Sequence, residues 1–178
     1  MGDPVVQYLK SLPKGETPKV LFAKESSLPL RSVYPVVNNA RKEEALLDSG
    51  SQIVSMSKEA AISLGMHWNP DICINMQFAQ GHVERMLGLA QDVPFTFGAV
   101  VVLLQIHVLN KPSYKILLGR PFDALTRSNI QNERDGLQTI TLTDPGSDIR
   151  VVLPTYPRGQ PPRSTVEESA EAFQFSMI

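Results

Sequence analysis

The chain has 178 residues, 42% of them hydrophobic and 20% charged, which are globular proportions with room for one ordinary domain and its tails. A formal net charge of −1 and the lack of any dense Lys/Arg run argue against nucleic acid as a partner. The single cysteine, Cys73, can neither close an internal disulfide nor build a zinc knuckle, so a reducing compartment is expected.

Met1-Gly2-Asp3-Pro4-Val5-Val6 has no basic flank followed by a long apolar stretch, and Val6 stands where myristoylation would need Ser or Thr. The longest apolar run, Ala99 to Leu104, is too short to cross a bilayer and reads as a buried strand. A soluble, cytoplasmic protein without a membrane partner is the expectation.

Residues 1–28 carry Pro4, Pro13 and Pro18 among polar residues and read as a lead-in segment. Arg31 to Val37 is a strand that Pro35 confines to an edge or bulge. Ala40 to Glu44 reads as a charged turn. Ala45-Leu46-Leu47 is a short apolar strand that runs straight into Asp48-Ser49-Gly50-Ser51, and Gln52 to Met56 is a further strand. Ser57 can cap a helix over Lys58–Leu64, with Glu59 in its first turn and Gly65 ending it. Strands are then expected over Ile72–Phe78, Val83–Leu89, Pro94–Phe97, Val100–Leu109 and Tyr114–Leu118. They are separated by Ala79-Gln80-Gly81, Gly98 and Asn110-Lys111-Pro112.

Pro121, just after Gly119-Arg120, suits the first turn of a short helix to about Arg127. Arg134-Asp135-Gly136 reads as a hairpin turn before a strand over Gln138–Thr143, and Asp144-Pro145-Gly146 as a turn before Ile149–Leu153. From Pro154 the composition becomes that of a Pro-rich linker. Ser164 and Glu167 fit a capping box that could open an amphipathic helix over residues 164–178, with disorder as the alternative. The fold class is therefore mainly β with two short helices. The boundaries are a lead-in at 1–28, a domain at 29–155, and a linker with a C-terminal tail at 156–178.

Asp48 directly after an apolar strand is a carboxylate carried toward the interior, where an unpaired charge is costly. Ser49 can donate and accept within the loop, and Gly50 lets the backbone turn sharply. A loop of this kind presents a carboxylate at a defined point. Well downstream, Ile116-Leu117-Leu118-Gly119-Arg120 is a second apolar strand that ends in glycine and opens a helix.

Asp-Ser-Gly after two aliphatics, a β-rich stretch with a Gly-tipped hairpin, then aliphatic-Leu-Gly-Arg and a short helix, resembles the retropepsins over residues 29–155. The nearest likeness is to the proteases of gypsy-type LTR retrotransposons, those of fungi included. The resemblance implies a single-lobe acid-protease fold, a closed β-barrel or sandwich, active as a symmetric homodimer. It implies an aspartic endopeptidase of extended polypeptide, serving retroelement polyprotein processing and using no cofactor and no metal. By the same resemblance Asp48 is the catalytic residue and Ser49, Gly50 and Ser51 support its loop. Ala79, Gln80 and Gly81 form the tip of a substrate-binding flap, and Leu117, Leu118, Gly119 and Arg120 pack behind the active-site loop. One position departs from the pattern. Retroviral members pair the Arg of this element with an Asp four residues after the catalytic one, where this chain has Gln52, as do the cellular retropepsins of ubiquitin-shuttle proteins.

Asp71-Ile72-Cys73, Asp135-Gly136 and Asp144-Pro145-Gly146 all fail to supply a second Asp-Ser/Thr-Gly, and the chain has no internal repeat, so a second carboxylate must come from a symmetric partner. Of the competing chemistries, a Ser-His-Asp triad lacks a Gly-x-Ser-x-Gly elbow near His67, His82 or His107. No two histidines have metal-ligand spacing. The alternative of another class is a silent or latent dimerisation or peptide-binding module built on the same fold.

Overall fold

In a computed structural model of the chain, residues 2–18, 25–77, 81, 83–163 and 173–176 are described. The lead-in opens with α1 (Pro4–Ser11), a helix the sequence reading did not anticipate. Asp3 caps it by accepting the Val5 N–H at 2.8 Å, and Pro4 occupies the first turn. None of its residues is buried.

Tyr34-Pro35 splits the strand expected over Arg31–Val37 into β1 (Arg31–Val33) and β2 (Val36–Val37), which find different neighbours. The charged turn after them contains β3 (Arg41–Lys42), paired with β2. Next come β4 (Ala45–Leu47) and β5 (Ser55–Ser57), the latter starting later than the expected Gln52. α2 (Lys58–Ser63) is capped by Ser57, whose Oγ accepts the Ala60 N–H at 3.1 Å; Gly65 follows at φ +69°.

β6 (Asn75–Gln77) and β7 (Val83–Arg85) pair only with each other as a separate hairpin. β8 (Gly88–Phe97) is one long strand where two had been expected, kinked by a register shift between Ala90 and Val93. β9 (Val100–Leu109) and β10 (Ile116–Leu118) follow. α3 (Arg120–Thr126) ends on Arg127 in the left-handed region. β11 (Asn129–Asn132), β12 (Gln138–Thr143) and β13 (Ile149–Pro154) form an antiparallel set. β14 (Tyr156–Pro157) returns to pair with β1. Most of the stretch expected as a C-terminal helix or disorder lies outside the described residues. Its described part, β15 (Phe173–Ser176), is a strand on the edge of β13, so a helix running through 178 is not what forms there.

The largest sheet has nine strands in the order β14-β1-β4-β10-β5-β9-β8-β2-β3. β1 and β2 sit near opposite ends of that order, yet only Tyr34 and Pro35 separate them in the chain. The sheet must therefore curl so that its two ends approach each other without pairing, which gives a half-barrel in place of the closed barrel anticipated. Alternate residues of β9 (Val100, Val102, Leu104, Ile106 and Val108) face the interior. There Phe97 packs on Phe122 of α3 with ring centroids 5.4 Å apart. Each such buried aromatic contributes about 2–3 kcal/mol. A second, four-stranded sheet has the order β11-β12-β13-β15. Among the described residues, no helix is long and apolar enough to cross a membrane.

Candidate active site

All three residues of β4 are buried, and the strand is paired on both sides, antiparallel with β1 and parallel with β10. The parallel register sets Ala45 beside Ile116, Leu46 beside Leu117 and Leu47 beside Leu118, so the two apolar strands end together. Asp48 and Gly119 are the next residues on each. The Asp48 N–H donates to the Leu118 carbonyl at 3.1 Å, and the Arg120 N–H donates to the Ser51 carbonyl at 2.8 Å, stitching the two chain segments at both ends of the turn. Within the turn, the Ser51 N–H reaches the Asp48 carbonyl at 3.1 Å and the Ser51 hydroxyl reaches the Ile53 carbonyl at 3.0 Å.

Gly119 is required by packing. A Cβ there would lie 2.1 Å from the Ile53 carbonyl oxygen and 2.7 Å from that of Ser51, both backbone atoms that cannot swing aside. The carboxylate is fixed from its own loop as well, because Asp48 Oδ1 accepts the Gly50 N–H at 3.0 Å. Asp48 is half-buried, while Ser49 and Gly50 are exposed.

The Asp48 loop forms one side of a cleft of about 560 Å³. Asp48, Gly50, Ser51, Gln52 and Ile53 line it from the loop, and Ile74 with β6 lines it from a second segment. Leu117 and Tyr114 complete it; the Tyr114 hydroxyl lies 2.8 Å from the Oγ of buried Ser55. Ile74, Asn75, Gln77 and Tyr114 had not been singled out from the sequence, because they lie far along the chain from Asp48 and only the folded topology brings them to the cleft. The one signal that could have found Tyr114 was its place two residues ahead of the Ile116–Gly119 element.

Of the proposed flap tip, Ala79 and Gln80 lie outside the described residues, as do Phe78 and His82. Gly81 follows the Gln77↔Val83 end of the hairpin, exposed and at φ +78°. Gln52 and Arg120 are both exposed, and among the described residues the Arg120 guanidinium has neither a hydrogen-bond nor an ion-pair partner. The charges that do pair lie behind the site. Glu43, 8% exposed, accepts from Lys115 at 2.8 Å and contacts Arg41 at 3.4 Å. Burial pushes its carboxyl up, but the Lys115 hydrogen bond and charge, the Glu44 N–H and Arg41 together outweigh burial and hold it below the ordinary value. Burial alone lowers His107 on β9.

No family model and no curated protein matches the sequence. Solved structures do. The crystal structure of the retroviral protease-like domain of Ddi1 from Leishmania major superposes with a TM-score of 0.53 at 15% identity, covering 76% of this chain and all of that domain. The fold is retropepsin-like. Within this retropepsin-like fold, Asp48-Ser49-Gly50-Ser51 and Leu117-Leu118-Gly119-Arg120, read from the sequence as two separate elements, are joined by direct backbone hydrogen bonds. β6, the first strand of the hairpin that carries Gly81, lines the same cleft.

Proposed function

We propose that the chain is an aspartic endopeptidase that works as a symmetric homodimer, with Asp48 of each copy supplying one of two facing carboxylates. The observation that carries this reading is the setting of Asp48. It ends a fully buried strand, its carboxylate is oriented by the Gly50 N–H, and it opens onto the cleft. The chain holds one Asp-Ser-Gly, so a complete dyad needs a second copy.

Two carboxylates brought within about 3 Å cannot both ionise, and aspartic proteases in general share one proton across such a pair. The ionised partner accepts a proton from a water held between the two. The hydroxide equivalent adds to the peptide carbonyl carbon while the protonated partner donates to the carbonyl oxygen. Collapse of the tetrahedral diol then breaks the C–N bond, and the nitrogen leaves with a proton returned by the dyad. Neither a metal nor a covalent intermediate is involved. An extended polypeptide is the natural substrate, because a cleft between a sheet and a hairpin offers backbone hydrogen bonds and pockets for alternate side chains. The sequence resemblance supports a retroelement polyprotein as that substrate, and the single cysteine, Cys73, supports a reducing compartment such as the cytoplasm.

The test is cleavage of an unfolded polypeptide by the full chain and by Asp48→Asn, followed by mixing of the two. Asp48→Asn should be inactive. In excess, once subunit exchange has been shown, it should draw wild-type chains into one-carboxylate heterodimers and drive activity toward zero. Full activity in Asp48→Asn, or wild-type activity that mixing leaves untouched, refutes the dyad. One observation, an exposed Arg120 without a partner among the described residues and a Gln52 that is likewise exposed, favours a second reading, a silent peptide-binding module. That reading predicts binding of the same polypeptide with no turnover.

A further inference from the structure

A second groove, of about 280 Å³, adjoins the cleft, and two residues, Gln52 and Ile53, line both. Past that shared ridge the groove runs between the outward face of β9 and the start of α3, where Leu103, Pro121 and Leu125 line it. Leu103 is 54% and Leu125 37% exposed, and Val101, two residues before Leu103 on the same face, is 49% exposed. β9 alternates buried and exposed from Val100 to Ile106, so these aliphatics do not spill over from the core; they form a separate apolar stripe on the other side of the strand.

β9 is paired with β5 on one side and β8 on the other, so nothing can be added to it by strand pairing. An occupant must be recognised through side chains. The polar rim, Gln52 and Gln105, is uncharged, and Gln105 is already engaged with Asp92 at 2.7 Å. A neutral, aliphatic occupant meets no opposing charge there.

We infer that this groove is an exosite for the substrate polypeptide itself. The segment flanking the cleaved bond crosses the Gln52–Ile53 ridge and sets an aliphatic side chain between Leu103 and Leu125. The inference rests on the peptidase reading for its substrate, and its physical warrant is the continuity of the groove with the cleft. Binding energy gathered away from the scissile bond would select long, unfolded, apolar chains over short peptides. Such a site acts on KM and leaves the chemistry alone.

The test uses the full chain, with Leu103→Glu and Leu125→Glu as variants at exposed positions where a carboxylate is tolerated by the fold. Substrates are reduced, carboxymethylated α-lactalbumin and a series of peptides lengthened from a hexapeptide around one of its cleavage sites. Each variant should raise KM about tenfold on the unfolded protein and on the longest peptides, with kcat unchanged and the hexapeptide unaffected. Equal loss on all lengths, or on none, overturns the exosite. So does conversion of the dimer to monomer by Leu103→Glu, which would make the groove a subunit contact. A second measurement is independent of turnover. In Asp48→Asn with labelled leucine methyls, the Leu103 and Leu125 signals should shift when the unfolded protein is added. If wild type cleaves nothing yet those methyls shift, the peptidase reading fails and the exosite stands. If they do not shift, the exosite fails whatever the activity.

Discussion

The loop that presents Asp48 and the hairpin that shares its cleft are held in opposite ways. β4 lies between two partner strands, its three side chains are buried, and its exit loop is bound at both ends to the β10–α3 junction. The β6–β7 hairpin has three residues per strand, pairs with nothing else, and leaves Ile74 and Val83 exposed. A lone two-stranded ribbon is marginal in water, whereas a doubly paired internal strand opens only when the domain unfolds. The carboxylate position is thus a property of the whole fold, while the hairpin can rearrange at small cost. On the proposed peptidase reading, a cleft that admits a polypeptide and keeps its reacting group in register needs both kinds of wall.

The comparison is broken most directly on the rigid side. Asp48→Asn keeps the shape of the side chain and its Gly50 contact, so it should leave the unfolding midpoint near wild type while activity falls by about 10²–10⁴-fold. Peptide hydrolysis and a urea melt on the same preparation check both halves. Gly119→Ala makes the reverse demand. Its methyl would overlap two backbone carbonyls that cannot move without dislodging the Asp48 loop. It should cost about 3 kcal/mol of stability or more and abolish activity as a consequence. A Gly119→Ala protein with a wild-type urea midpoint would mean the loop is far less constrained than its packing indicates.

Those two residues were also the easiest to read from the sequence, and the reason is local. An apolar run ending in Asp-Ser-Gly, and another ending in Gly-Arg-Pro, each announce a strand and its exit. Ser57 and Gly65 likewise mark α2 because a cap is set by a few neighbouring residues. What escaped depends on partners distant in the chain. Arg31–Val37 reads as one strand, and only the curl of the sheet makes Tyr34-Pro35 the point where it leaves one end for the other. The Phe-Gln-Phe alternation at 173–175 fits a strand as well as a helix, and the free edge of β13 that decides it is invisible in sequence. β14 ties the supposed linker to β1, with the Gly159 N–H on Glu44 at 2.7 Å and Arg158 on the Ser113 carbonyl. The cleft residues Tyr114 and Ile74 were hidden for the same reason.

The hairpin side should respond in the opposite sense to the loop. Gly81 sits at φ +78° with no neighbour among the described residues within 4 Å of a prospective Cβ, so the effect expected of Gly81→Val is backbone strain. A β-branched residue in the left-handed region costs about 1–2 kcal/mol, relieved by moving the hairpin instead of the core. Turnover should drop about tenfold, with the thermal midpoint little changed. Unaltered kinetics would move the substrate-covering role away from this hairpin. A large loss of stability would show that the hairpin is welded to the body.

The smallest effect concerns the brace behind the rigid wall. Glu43 lies just before β4 and Lys115 just before β10, so their 2.8 Å contact ties together the starting ends of the two parallel strands whose far ends carry Asp48 and Gly119. Because the folded protein holds this carboxyl below its ordinary value of 4.5, the unfolded chain binds more protons as the pH drops through that range. The stability it supplies is therefore complete above about pH 4.5 and disappears as the pH falls through the folded value. Lys115 is 62% exposed, which screens the pair, so Glu43→Gln should cost only about 1 kcal/mol at pH 7. That gap should narrow by pH 3, as wild-type Glu43 takes up its proton below the ordinary value and Gln becomes its near-isostere. Urea midpoints of the two proteins at both pH values decide the matter. A gap of the same size at pH 3 would assign the loss to packing around the half-barrel seam and remove the ion pair from the account of how the Asp48 wall is made rigid.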